Sequence, residues 1–341
     1  MDLSFDLLES VVPEALDSIR GRYNILSTIK AKAPVGRRVL SASTGITERH
    51  IRNDVELLNA LGLVEQNVVG ISLTKKGEAV LEELTIALHE FFGLEALETE
   101  LEKRLGIPKV IIVKGDCDET PAVMNILSKA AASVISSTLS SGDTVAVTGG
   151  TTLRSAIKMI EAPDNLERVT VLPARGGIGR DIDIQSNTIA ALFADRIGGE
   201  HRALYLPDML GARAARTVLK EPNIKKAIDE LNNVNMAVFG IGVAREMALR
   251  RSLSSAIIDL IERRGGVGEA FGYYFSESGN IIYSSHTVGM SMEMLLGVKK
   301  LIGVAGGSKK AKAIMAVIKN IPHCVLVTDE GAARAMCQAA K

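Results

Sequence analysis

The sequence predicts an α/β protein with a small helical module ahead of it, and three observations carry that prediction. A basic block with the spacing of a helix-turn-helix and a following hairpin occupies residues 20–77. From Lys109 onward, short apolar runs recur with helical segments mostly between them, the pattern of a largely parallel sheet. Several of those runs end in glycine-rich turns, and in such folds ligands sit at the carboxyl ends of the strands.

A length of 341 residues suits about two domains, and an apolar content of 47% is ample for a sizeable core. No apolar run approaches the ~18 residues of a membrane span, and the start Met1-Asp2-Leu3-Ser4-Phe5-Asp6 lacks the basic residues of a signal peptide, so the expected location is cytoplasmic with no membrane partner. Cys117, Cys324 and Cys337 have no metal-ligand spacing, which predicts neither a metal site nor a disulfide framework. Net charge is zero overall but locally uneven. Arg20, Arg22, Lys30, Lys32, Arg37, Arg38, Arg49 and Arg52 face only Glu48 and Asp54 between residues 20 and 55, a candidate footprint for a polyanion.

In chain order, residues 1–19 read as an acidic helical extension interrupted by Pro13. Tyr23, Ile25, Leu26 and Ile29 mark a short helix, Val39, Leu40 and Ala42 a second, and Ile46 to Leu61 a longer third. Gly45 supplies the bend between the last two, and Thr47 can cap the third helix. With Ile51, Val55 and Leu58 on its inner face, Arg49, His50, Arg52 and Asn53 fall on the outer side near its N-terminus, where a recognition helix meets base edges. Arg37 and Arg38 are placed to meet phosphates. Leu63–Glu65 and Gly70–Thr74 read as a hairpin, which completes a winged helix; a helical subdomain with a solvated basic face is the bland alternative. Glu78 to Leu105 carries a leucine stripe at steps of three and four, read as one helix that packs on its own domain or forms a dimer contact.

Seven apolar runs follow as expected strands: 110–113, 144–147, 169–172, 203–206, 236–239, 301–304 and 324–327. After the second comes Gly149-Gly150-Thr151-Thr152 at the start of a helix, the arrangement of a phosphate cradle, in which amide N–H groups and the helix dipole point at one spot. The ordinary strand-to-helix turn is the competing reading. Gly306-Gly307-Ser308 repeats the pattern, and Arg175 and Lys310 add cations near such turns. Gly240-Ile241-Gly242-Val243-Ala244-Arg245 is not a dinucleotide fingerprint, because Arg245 stands where the third glycine belongs.

Together, Ile46-Thr47-Glu48-Arg49, Val145 to Thr152, Val171-Leu-Pro-Ala-Arg-Gly-Gly177, Glu269 to Phe275, Val304 to Ser308 and Val325 to Ala333 resemble the SorC branch of bacterial sugar-responsive transcription regulators over nearly the whole chain. The resemblance implies a winged helix joined to a Rossmann-like effector domain similar to ribose-5-phosphate isomerase and glucosamine-6-phosphate deaminase. It implies a repressor of glycolytic genes that releases or loosens on operator DNA when fructose-1,6-bisphosphate or a related sugar phosphate binds. It places one phosphate at Gly150, Thr151, Thr152, Arg175 and Lys310, with Gln185, Arg250 and Glu269 for the sugar hydroxyls and the second phosphate. The expected division is an extension at 1–19, the winged helix at 20–77, a linker helix at 78–105 and the effector domain at 106–341. The expected assembly is a homodimer or homotetramer without cofactor or metal. The competing class is a sugar-phosphate isomerase or deaminase, for which Asp329, Glu330 and Glu269 are candidate bases. The basic winged helix favours the regulator, because an isomerase has no need of one.

Overall fold

The computed structural model describes residues 11–91, 94–163, 166–176, 181–204, 217–218, 220–285 and 288–339. Residues 1–10 of the expected extension, Gly177 of the arginine motif and positions 205–206 of the expected fourth strand lie outside the described residues. The chain divides into two compact units, the first ending at Leu97 and including Thr120–Ala122, the second made of the remainder.

The first unit contains α1 (Pro13–Lys32), α2 (Arg37–Thr44), α3 (Glu48–Ala60), the antiparallel pair β1 (Val64–Gln66) and β2 (Ile71–Leu73), and α4 (Lys75–Phe91). The expected interruption at Pro13 is present, since Val11 is helical and Val12 is not, and a new helix starts at the proline. Proline stands at the first helical position, where its missing N–H leaves no bond unmade, so residues read as an extension and as a short helix form one helix. Gly45 closes α2 at φ 73°, a left-handed conformation that favours glycine, and the chain turns there into α3. Ile25, Ile29, Leu40, Ile51, Val55, Leu58 and Ile71 form one buried core. Each such side chain contributes about 1.5–3 kcal/mol of burial. Val35 bridges to Ile71 and adds a third rung beside the hairpin.

The leucine stripe expected as one helix is shared by two, α4 and α5 (Leu94–Leu105). The second unit then runs β3 (Lys109–Val113), α6 (Val123–Thr138), β4 (Thr144–Val147), α7 (Thr151–Lys158), β5 (Thr170–Pro173), α8 (Ser186–Ile197), β6 (Glu200–His201), α9 (Pro222–Asn232) and β7 (Met236–Gly240). After β7 come β8 (Gly242–Val243), α10 (Ala244–Arg250), α11 (Ser255–Arg263), β9 (Gly266–Ala270), β10 (Tyr273–Ser276) and β11 (Ile281–Ser284). The chain closes with α12 (Met292–Gly297), β12 (Lys300–Val304), α13 (Ala311–Ile318), β13 (Cys324–Asp329) and α14 (Glu330–Gln338).

Seven strands form a parallel sheet in the order β3-β13-β12-β7-β4-β5-β6. From β4 the chain steps outward through β5 and β6, and from β7 it steps the other way through β12 and β13. The carboxyl ends of β4 and β7 therefore flank the topological switch point, the preferred ligand crevice of an open α/β sheet. The fourth strand lies at Glu200–His201 rather than at 203–206. The edge strand β3 is covered by α5, whose Glu98 and Glu102 carboxylates accept the N–H groups of Ile112 (2.7 Å) and Val110 (3.0 Å).

A second sheet, antiparallel in the order β11-β10-β9-β8, is absent from the sequence reading. Its glycines break the alternation by which strands are recognised. Gly268 leaves room for α13, since a Cβ there would sit 2.8 Å from the Ala313 carbonyl oxygen.

Candidate functional site

The turn after β4 is built to stay open at one point. Thr148 ties the two switch-point strands together: its N–H donates to the Val238 carbonyl (3.1 Å) and its hydroxyl accepts from the Gly240 N–H (3.1 Å). At Gly149 a Cβ would overlap the Ile184 carbonyl oxygen, so no larger residue fits that backbone path. Gly150 takes φ 131° and is the N-cap of α7, and it offers no capping side chain. The amides of Thr151, Thr152 and Leu153 open the helix, where no intrahelical acceptor exists for them. The expected cradle is one donor smaller than the motif suggested, because the Gly150 N–H donates to Ile184 O at 2.9 Å. Thr151 is exposed and Thr152 buried at this entrance. Gln185, half-buried, caps α8 just beyond Ile184.

The matching turn after β12 is filled. The Gly307 N–H donates to Asp329 Oδ2 (2.8 Å), Ser308 N–H to Asp116 Oδ1 (3.2 Å) and Lys309 N–H to Asp118 Oδ2 (2.9 Å). The Lys310 N–H goes to the Gly307 carbonyl. The expectation of two matched phosphate cradles is thus corrected: the chain's own carboxylates occupy the second. Lys310 is half-buried, and its charge acts on the Cys117 thiol, which burial and the neighbouring Asp329 carboxylate push up.

A third group of side chains gathers beside the switch point. Glu269 on β9 is directly opposite Gly242 of β8, the residue pair after β7. Its carboxylate is buried and accepts the Gly272 N–H (2.7 Å). Arg251 Nη2 lies 2.8 Å from Glu269 Oε1, and Arg175, buried at the end of β5, brings Nη1 to 3.9 Å from the same oxygen. Arg250, the expected member, is exposed and does not join the described cluster. Helical period explains the difference. α10 buries Ala244 and Ala248, and the next position on that face is 251, so Arg250 turns outward. That spacing was present in the sequence and identifies the better residue.

The three carboxylates considered as bases are engaged. Asp329 is fully buried and accepts N–H groups from Cys117 (2.7 Å), Gly307 and Ala332 (2.9 Å). Glu330 meets Lys114 and Arg334, each at 2.9 Å, and the Gly115 N–H. Burial alone would raise the Glu330 carboxyl, but these partners outweigh it and hold it below the usual range. Carboxylates so bonded are rigid struts of the fold.

In the first unit, α3 presents Arg49, His50, Arg52 and Asn53 to solvent, and Arg37 and Arg38 are exposed at the start of α2. Thr47 caps α3 as expected, accepting from the His50 N–H, and its hydroxyl also lies 2.7 Å from His50 Nδ1. Arg52 Nε pairs with Glu56 at 3.0 Å, one turn along the helix. The Asn67 carboxamide accepts from the Val69 and Gly70 N–H groups and shapes the hairpin turn, whose Val68 and Val69 are exposed.

A helix-turn-helix with a hairpin wing and a separate open-sheet domain with a switch-point crevice define a ligand-responsive DNA-binding regulator. The chain matches the family of CggR N-terminal DNA binding domains over residues 19–88 and a sugar-binding domain family over residues 89–338. It is 39% identical over 330 residues to a central glycolytic genes regulator of Priestia megaterium and 38% identical over 326 residues to one of Bacillus subtilis, in both cases over 96% of either chain. Among solved structures, a SorC family transcriptional regulator from Enterococcus faecalis matches with TM-score 0.66 and 33% identity over 71% of this chain and 99% of that one. The full-length sorbitol operon regulator SorC from Klebsiella pneumoniae, at 17% identity, shares the fold with TM-score 0.67 over 88% of this chain and 93% of that one. The chain belongs to the SorC family of sugar-binding transcriptional regulators. It is a regulator of transcription.

Proposed function

We propose that the chain represses central glycolytic genes in the cytoplasm, and that a phosphorylated sugar, fructose-1,6-bisphosphate before others, weakens its hold on the operator. The observation that carries this reading is the open turn Gly149–Thr152, whose first-turn amides have no acceptor within α7. The two full-length relatives named for glycolytic genes support the choice of regulon. One phosphate would lie on the Thr151 and Thr152 amides and hydroxyls, with Gly150 at its back and Arg175 and Lys310 as counter-charges. Gln185 and Glu269 would meet sugar hydroxyls, and Arg251 takes the role first given to Arg250 at the second phosphate. No cofactor or metal is called for.

On DNA, α3 would enter the major groove with Arg49, His50, Arg52 and Asn53, while Thr47 holds its start and Arg37 and Arg38 meet phosphates. The assembly would be a homodimer or homotetramer, matching a two-fold operator. Ligand binding alters DNA affinity only through unequal affinity for two arrangements of that assembly. The test is a thermal-shift panel with fructose-1,6-bisphosphate, fructose-6-phosphate, glucose-6-phosphate, ribose-5-phosphate and inorganic phosphate, run beside operator binding by fluorescence anisotropy. Selective stabilisation by the bisphosphate, with weaker operator binding and no turnover, is the expected result. An unmoved melting temperature with every sugar phosphate overturns it.

A further inference from the structure

Tyr274 is a buried neighbour of Glu269 that the effector site leaves unexplained. It lies on β10 directly opposite Glu269 of β9, so the two side chains stand on one face of the antiparallel pair. Its ring is fully buried among Ala244, Ala248, Leu253 and Ile261, and it leans on Tyr283 with ring centroids 5.6 Å apart. The packing fixes where the phenol points. Yet the Tyr274 hydroxyl is buried without a hydrogen-bond partner among the described residues. Burial pushes this phenol up to about 12, with Arg251, Glu269 and Arg175 acting on it as the nearest charges, so it is a neutral O–H donor at any physiological pH. A buried donor left unmade costs free energy, and an apolar ring of the same shape would fill the site without that cost.

Glu269 already has two guanidinium groups near one oxygen, with Arg251 at 2.8 Å and Arg175 at 3.9 Å. Both are the groups that an arriving anion would attract. We propose that Tyr274 is a positioning residue of the effector site, whose hydroxyl bonds Glu269 once a ligand anion draws Arg251 off that carboxylate. The inference rests on the sugar-phosphate reading given above. Without such a substitute, moving Arg251 to the ligand would leave the buried carboxylate with the Gly272 N–H and the more distant Arg175, and part of the binding energy would be lost to that poorly compensated charge. With it, the carboxylate exchanges a charged donor for a neutral one and stays bonded. The unmade bond of the ligand-free state is then the counterpart of a bond made in the bound state.

The test compares wild type with Tyr274→Phe in full-length protein, by calorimetric titration with fructose-1,6-bisphosphate, by melting temperature without ligand, and by tyrosine ultraviolet difference spectra. The chain has five tyrosines and no tryptophan, so the phenol signal is unmasked. The expected results are an unchanged or higher ligand-free melting temperature, a dissociation constant weakened about tenfold, the size of one hydrogen bond to a charged group, and loss of a ligand-induced phenol signal seen in wild type. Equal affinity of the two proteins overturns the proposal while leaving the sugar-phosphate reading intact. A lower ligand-free melting temperature with unchanged affinity assigns the hydroxyl a purely structural bond and also overturns it. If wild type binds no sugar phosphate in this titration, both readings fall together.

Discussion

The turns at 149–152 and 306–308 share a motif and differ in everything that surrounds it. Each follows a parallel strand with Gly-Gly and a hydroxyl residue, and each leads into helical backbone. After β12, the acidic loop 116–118 and Asp329 lay three carboxylates on three successive amides. After β4, the neighbouring segment contributes a carbonyl, Ile184 O, which takes only the Gly150 amide. A glycine-rich turn thus states that backbone amides are exposed to something. What they are exposed to depends on a segment distant in sequence, which presents carboxylates in one case and a backbone carbonyl in the other.

The strongest way to break the filled turn is Asp329→Ala. It leaves the Cys117, Gly307 and Ala332 amides without their acceptor, and unfolding by urea should show a loss of about 4 kcal/mol. Near-native stability would mean that Asp329 is not what holds that turn. Next in size is Gly149→Ala at the open turn, where the new methyl group meets the Ile184 carbonyl. Overpacking there should cost about 2 kcal/mol and abolish the melting shift with fructose-1,6-bisphosphate, and an undiminished shift would detach the turn from the site.

Arg251→Gln should weaken the sugar phosphate about tenfold, whereas Arg250→Gln should change it less than about twofold, as measured by calorimetry. The reverse order would restore the residue first expected. The smallest effect is on acid stability. The Asp116 and Glu330 carboxyls are held below their ordinary values, in each case against burial, by N–H donors and cations at the filled turn. Such groups stabilise the fold fully above the unfolded carboxyl pKa, and that contribution is lost as pH falls through the lowered folded value. Asp116→Asn should therefore give a shallower loss of stability below about pH 4, the carboxylate range, and an unchanged acid limb would remove Asp116 from the account.

Much of this was legible in the sequence where a local rule decides the outcome. The apolar runs of β4, β7, β12 and β13 needed only burial on both faces to become parallel strands, and the inner face of α3 followed from the helical period. The misreadings arose where the deciding partner is remote. Nothing near Gly307 announces that Asp116 and Asp118 will cover it, because strands β3 and β12 meet only through β13. Glu269 was found by resemblance, but its opposition to Tyr274 depends on a sheet whose glycines hide its alternation. The choice of Arg250 over Arg251 was different in kind. There the local rule was available, since 244, 248 and 251 share a helix face, and it points to the buried residue.

The chain returns from the smaller sheet of the second unit through α12, but it enters that sheet through one residue, Ile241, between the end of β7 and the start of β8. Such a joint transmits rotation with little slack. Glu269 sits on the rung beside it, paired to Gly242, while Gly240 on the other side is pinned by Thr148. A ligand wedged at the switch point would press at the hub of this joint, and β10 and β11, which lie farthest out on the smaller sheet, would sweep the widest arc. The smaller sheet is in that sense hinged at the switch point, with α13 packed against it at Gly268 as the surface over which any such displacement would slide.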